Sequence, residues 1–273
     1  MTRFMIVPQW QGSDSPRAMR LIDGAQSIAG DLPRASCTTI DVASEAGDAQ
    51  DTGVRRHSAI ARTRDRLREA LAQSDEPTML IGGDCGAAVG AIEHVASRHP
   101  DLVLVWFDAH ADLHTPETSP SGAFGGMALR AALGEGTESL RLNAHALSPT
   151  QVVMAGVREY DDSERAFVGS VPITVIDPAQ LAAPDDLADA VSALGATKVY
   201  VHIDLDVLDP SAISGVTAPV PFGAQVADVV ASISQLRSRV ELVGSSICGF
   251  APASPAAAVN DLGSILRLVG SLA

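Results

Sequence analysis

The chain has 273 residues, and its 33 Asp plus Glu against 19 Lys plus Arg give −14 at pH 7, which excludes nucleic acid or an anionic membrane surface as principal partner. Hydrophobic residues are 46% of it and aromatics only 4%, so the core must be built from Val, Leu, Ile and Ala, and one α/β domain over residues 1–273 fits that length. No apolar run reaches the ~20 residues of a membrane span, the opening eight residues are too short for a signal peptide, and Cys37, Cys85 and Cys248 are odd in number and scattered, so a cytoplasmic protein with reduced thiols is expected.

Phe4-Met5-Ile6-Val7 predicts the first strand, followed by a turn over 11–16 and a helix over 17–29. A second strand is expected over 37–42, then a small, acidic loop over 43–52. Across 55–73, Ile60, Leu67 and Leu71 share one face of an amphipathic helix whose arginines mostly meet water. The strand 78–81 runs into Gly82-Gly83-Asp84-Cys85, and 85–97 is helix-compatible. Cys85 is thereby expected near a helix N-terminus, where unpaired N–H groups favour a thiolate.

The strand 102–107 ends in Asp108-Ala109-His110-Ala111-Asp112, and a polar loop over 113–122 leads to a helix over 125–133. The next strand, 152–157, exits through Arg158-Glu159-Tyr160-Asp161-Asp162-Ser163-Glu164. A strand at 173–176, a helix at 187–194 and a strand at 199–203 precede Asp204-Leu205-Asp206 and Asp209-Pro210. A helix at 224–236, a strand at 240–248 and a closing helix at 255–272 complete the pattern. Strands alternating with helices predict a three-layer α/β/α fold on a mainly parallel sheet, with ligands beyond the carboxyl ends of the strands.

Three such strand ends carry acids. On extended backbone, alternate side chains point the same way, so Asp108, His110 and Asp112 converge while the alanines turn aside. A single Asp at a strand end is usually a cap, but matched acids on three ends describe a metal site. Hard carboxylates with one imidazole suit Mn²⁺, Mg²⁺ or Fe²⁺, and bridging carboxylates can hold two ions. His202, inside an apolar strand, is expected to be a satisfied core histidine. His57, His94, His99, His145, Cys37 and Cys248 are also expected to be structural.

Gly82-Gly83-Asp84-Cys85, Phe107-Asp108-Ala109-His110-Ala111-Asp112 and His202-Ile203-Asp204-Leu205-Asp206-Val207-Leu208-Asp209-Pro210 resemble the three signature motifs of the ureohydrolases, the family of arginase and agmatinase. The resemblance implies an arginase-like α/β/α fold and two Mn²⁺ per subunit. One ion would be held by Cys85, Asp108, Asp112 and Asp204, the other by Asp108, His110, Asp204 and Asp206. Ser121, Asp161 and Glu164 match positions that bind the α-amino and α-carboxylate groups of an amino acid. His114 falls on a substrate-contacting position, and Asp112 and His114 are the candidates for proton transfer.

The chain departs from the family at three places. Cys85 stands where arginases have a histidine, the proton-shuttle histidine is absent from 122–126, and Gly249 stands where a Glu faces the guanidinium. Arginine, charged at any working pH, is poorly served by such a site. An N-hydroxyguanidine, less basic because of its electron-withdrawing hydroxyl, fits better. The competing readings are another guanidino or formimino amino acid, or a non-catalytic metal-binding homologue. The chain ends soon after its last helix, which favours a monomer.

Overall fold

Eight strands, all parallel, form one sheet at the centre of the computed structural model, which describes residues 2–273. They are β1 (Arg3–Val7), β2 (Cys37–Thr39), β3 (Thr78–Gly82), β4 (Val103–Phe107), β5 (Val152–Ala155), β6 (Thr174–Ile176), β7 (Lys198–Asp204) and β8 (Glu241–Cys248), in the order β2-β1-β3-β8-β7-β4-β5-β6. All five residues of β4 are buried, as befits a strand covered on both faces. Pairing is direct between Trp106 and His202 and between Phe107 and Ile203, which sets the acidic ends of β4 and β7 side by side.

Period-two alternation splits the core in two. Leu104, Trp106 and Tyr200 pack on one face of the sheet with α2 (His57–Leu71), α3 (Ala88–Ala96) and α4 (Ala128–Ala132). Val105, Phe107, Val201 and Ile203 pack on the other with α1 (Arg20–Gly30), α6 (Pro184–Ala193), α7 (Val226–Arg239) and α8 (Pro255–Leu272). The three-layer α/β/α expectation holds, and the sheet is parallel throughout rather than mainly so. Among the described residues no helix is long and apolar enough to cross a membrane.

The strands built after β3 do not continue outward from it. β4 lies three places away, and β8 and β7 fill the gap, so the order of growth reverses at the centre of the sheet. At such a switch point the connections on either side diverge and leave a crevice beyond the carboxyl ends.

Local differences from the sequence reading have identifiable causes. The helix expected over 85–97 begins as a 3₁₀ turn, Cys85–Ala87, before α3, and that over 125–133 begins as Gly125–Met127 before α4. α5 (Asp162–Val168) is a helix that the strand-exit reading of 158–164 does not include, although Asp161 and Glu164 form a capping box at its start, a legible helix signal. Ile60, Leu67 and Leu71 of α2 are buried as expected, but Arg64 is buried beside them, paired with Glu93 at 3.0 Å.

Candidate metal centre

A cleft of about 290 Å³ opens beyond the carboxyl ends of β3, β8, β7 and β4, and all ten residues singled out from the sequence line it. Cys85, Asp108, His110, Asp112, Asp204 and Asp206 meet at its floor, while His114, Ser121, Asp161 and Glu164 form a wall.

The floor is a dense network. His110 Nδ1 lies 3.0 Å from Asp206 Oδ2 and 3.5 Å from Asp108 Oδ1, bridging the two acidic motifs. The Cys85 thiol donates to Asp204 Oδ2 at 2.8 Å, and its sulfur is 3.9 Å from Asp108 Oδ2. Backbone N–H groups hold the acids in place: His110 donates to Asp108 Oδ1 at 2.7 Å, Ala109 to Asp206 Oδ1 at 3.1 Å and Asp206 to Asp204 Oδ1 at 3.0 Å. From below, Trp106 Nε1 donates to Asp108 Oδ2 at 3.2 Å. Asp112 has φ of 53°, a left-handed conformation uncommon for a residue other than glycine, and its Oδ2 is buried without a partner.

Electrostatically the floor lacks positive charge. Burial first, then the charge of Asp206, pushes Asp204 up to about 7. Burial and Asp108 push Asp206 up to about 6. Asp112 is raised well above the carboxylate range by burial and Asp108. Burial works against the charged form of His110, but hydrogen bonds to Asp108 and Asp206 outweigh it and push the group up to about 12. One imidazolium cannot neutralise four buried carboxylates. The oxygen-rich donor set, the partnerless Asp112 Oδ2 and the preference for protons over bare charge fit divalent cations, and the six residues could hold two of them.

Two sequence expectations need correction. Cys85 does sit at the head of a helix, but burial and the charges of Asp204, Asp112 and Asp108 push its thiol well above the ordinary range. The helix N-terminus is outweighed, so a thiolate here requires a cation. His202 is only half satisfied: Nδ1 meets Ser246 Oγ at 2.8 Å, but Nε2 is buried with no partner. Leaving such a group unpaired costs about 1–3 kcal/mol, so this is no ordinary core histidine. Its ring stacks on Trp106 with centroids 3.7 Å apart. Burial also pushes it down to about 3, keeping it neutral.

The wall is built on α5. Glu164 accepts from the N–H groups of Leu113 and Asp161, both at 3.0 Å, tying the segment after Asp112 to the helix start. His114 Nε2 lies 2.8 Å from Asp161 Oδ2, and its Nδ1 is 3.2 Å from Thr118 Oγ1. Ser121 Oγ accepts from Ala123 N at 3.2 Å. The sequence reading gave no role to Arg158, whose guanidinium donates to the carbonyls of Gly156, Asp206, Val207, Val220 and Pro221 at 2.7 to 3.2 Å. That role depends on contacts some 50 to 60 residues away and leaves no local trace.

Gly249 closes the floor beside β7. Its φ is +87°, and a Cβ built there would stand 2.2 Å from Asp204 Oδ1. The backbone therefore presses against an acid of the cluster, and any side chain at this position meets it.

The fold matches that of solved arginases. Residues 13–262 match the arginase family model, and the chain belongs to the arginase family. It is 32% identical over 210 residues to the N(omega)-hydroxy-L-arginine amidinohydrolase of Streptomyces lavendulae, covering 74% of this chain and 72% of that one. It is also 32% identical over 171 residues to an arginase of Staphylococcus aureus, covering 59% of this chain and 57% of that relative's length. The structure superposes on Entamoeba histolytica arginase in complex with L-ornithine with a TM-score of 0.88, at 23% identity, covering 99% and 97% of the two chains.

Proposed function

We propose that this chain is a binuclear manganese amidinohydrolase that converts N-omega-hydroxy-L-arginine to hydroxyurea and L-ornithine, the step that supplies hydroxyurea to D-cycloserine, an antibiotic. The reading rests on family membership and above all on one observation: the buried acids converge around a floor where position 249 is glycine, pressed against Asp204, and so offers no side chain of its own to a guanidinium. Similarity to the Streptomyces lavendulae amidinohydrolase supports it.

In this reading Cys85, Asp108, Asp112 and Asp204 would hold one Mn²⁺, and Asp108, His110, Asp204 and Asp206 would hold the other. When bound, the pair supplies Lewis acidity, lowering the pKa of water and stabilising charge at the carbon under attack. The chain's own residues do the rest. Asp108 and Asp204 would belong to both ligand sets. Asp112, with Oδ2 free of protein partners, takes the proton released by water and passes it to the ornithine nitrogen as its bond to carbon breaks. Ser121, Asp161 and Glu164 orient the amino-acid end, with His114 held against Asp161.

The balance is simple: water adds its oxygen to the guanidino carbon, the carbon–Nδ bond breaks, and Nδ leaves as a primary amine. A neutral hydroxyguanidine needs no acid at 249. The test is turnover of N-omega-hydroxy-L-arginine and L-arginine by protein reconstituted with Mn²⁺, assayed for hydroxyurea, urea and ornithine alongside metal analysis. Turnover of the hydroxylated substrate should far exceed that of arginine. Equal rates on the two would remove the substrate assignment and leave the family intact.

A further inference from the structure

Among the described residues, two buried side-chain atoms without partners border the acid cluster: Asp112 Oδ2, an acceptor, and His202 Nε2. The first faces the proposed cations. The second lacks an assignment.

A ring nitrogen of His202, Cys85 Sγ and an oxygen of Asp108 all lie within 4.8 Å of one another. Nδ1 is engaged by Ser246 Oγ at 2.8 Å, whereas Nε2 makes no hydrogen bond, to the sulfur or to any other group. Strand register produces this: His202 pairs with Ser246 across β7 and β8 and with Trp106 across β7 and β4, so the ring is flanked by its hydroxyl partner and by the indole on which it stacks. The residue is fully buried.

The sulfur has the complementary need. As a thiol, Cys85 donates its proton to Asp204. Once that proton is displaced by a cation, the sulfur becomes an anion beside Asp204 and Asp108 and can only accept. A thiolate without a donor would give its metal more electron density than the imidazole found in arginases. An N–H donated to the sulfur would withdraw part of that density.

We propose that His202 is a positioning residue for Cys85, donating Nε2–H to the sulfur when Cys85 is a metal-bound thiolate, with the Ser246 hydroxyl donating to Nδ1 and so fixing the tautomer. The proposal rests on the reading that Cys85 is a metal ligand. It assigns His202 and Cys85 to one device: the thiolate replaces the missing histidine, and a histidine on β7, separated from β3 by β8, offsets the thiolate's charge.

The test uses the cobalt(II)-substituted full chain, in which a cobalt-bound thiolate gives a near-ultraviolet charge-transfer band, together with Mn²⁺ affinity from equilibrium dialysis. His202→Asn keeps an amide near Ser246 and loses the donor at Nε2; His202→Gln restores a donor close to that atom. Expected for His202→Asn are a red shift of the band and roughly 10-fold or greater weakening of Mn²⁺ binding, largely recovered in His202→Gln. An unshifted band with unchanged affinity overturns the proposal. Loss of a nitrogen scatterer at cobalt by X-ray absorption also overturns it, because His202 would then be a ligand. If His202→Asn does not fold, Ser246→Ala carries the test: a smaller shift of the same sign supports the device and an unshifted band overturns it. Absence of the band in the unaltered chain would instead remove Cys85 as a ligand, and the proposal with it.

Discussion

Replacing Gly249 by alanine should do more than add a methyl group. At φ +87° an L-residue adopts a conformation it disfavours by about 1–2 kcal/mol. The new Cβ would also stand 2.2 Å from Asp204 Oδ1, so either the acid or the β8 exit has to move. Forcing an extra carbon into packed surroundings costs about 1–3 kcal/mol. Together the two effects destabilise Gly249→Ala by about 2–5 kcal/mol, equivalent to a fall in melting temperature of roughly 5–15 °C. Because Asp204 is the atom displaced, bound metal should fall as well. Gly249→Glu should be no better, so arginine turnover cannot be restored by reinstating the family's acid alone. Thermal unfolding by circular dichroism with and without Mn²⁺, and metal content after gel filtration, measure this. A Gly249→Ala protein that melts within about 1 °C of the parent and keeps its full metal complement would refute the claim that backbone and Asp204 are pressed together.

Other consequences are independent of that one. Asp204 and Asp206, pushed up to about 7 and 6, hold protons in the folded protein that the unfolded chain releases near pH 4, so the metal-free protein loses stability as pH rises from about 4 to 7. Divalent cations replace those protons, and the gain in melting temperature on adding Mn²⁺ should therefore grow between pH 5 and about 8; a gain independent of pH would contradict it. Cys85→His should retain manganese with altered turnover, whereas Cys85→Ala should lose metal from one position. Unchanged metal content and kinetics in Cys85→Ala would make that residue mere packing. Asp161→Asn, which weakens the contact with His114, should raise KM for the amino-acid substrate roughly 10-fold with a smaller effect on kcat, and an unchanged KM would take Asp161 out of substrate binding.

Much of this site was written into the sequence at short range. Spacing by two marks Asp108, His110 and Asp112, and Asp204 with Asp206, as clusters at strand ends, but the backbone that gathers them is not the extended one that spacing assumes: β4 ends at Phe107, Asp112 is left-handed, and Asp206 sits in a 3₁₀ turn over Leu205–Val207. What escaped was decided across strands. His110 reaching Asp206 requires the β4–β7 neighbourhood, and the orphaned Nε2 of His202 requires the register that brings Ser246 alongside. The thiolate expected from Cys85's helix position fails because burial, and then the acids that follow β4 and end β7, all invisible to a helix rule, disfavour charge on the sulfur. The α5 capping box was legible and overlooked, as two acids in a polar stretch read equally well as a loop.

Arg158 gives the cleft a fixed side. Its five N–H groups are spent on carbonyls from the β5 exit, from the segment carrying Asp206 and from the 217–223 stretch, so those pieces shift together or not at all. The molecule thus keeps one guanidinium permanently clasped a few residues from where it would hydrolyse another. The clasp consists of neutral oxygens alone, a reminder that holding this group and cleaving it call for different surroundings.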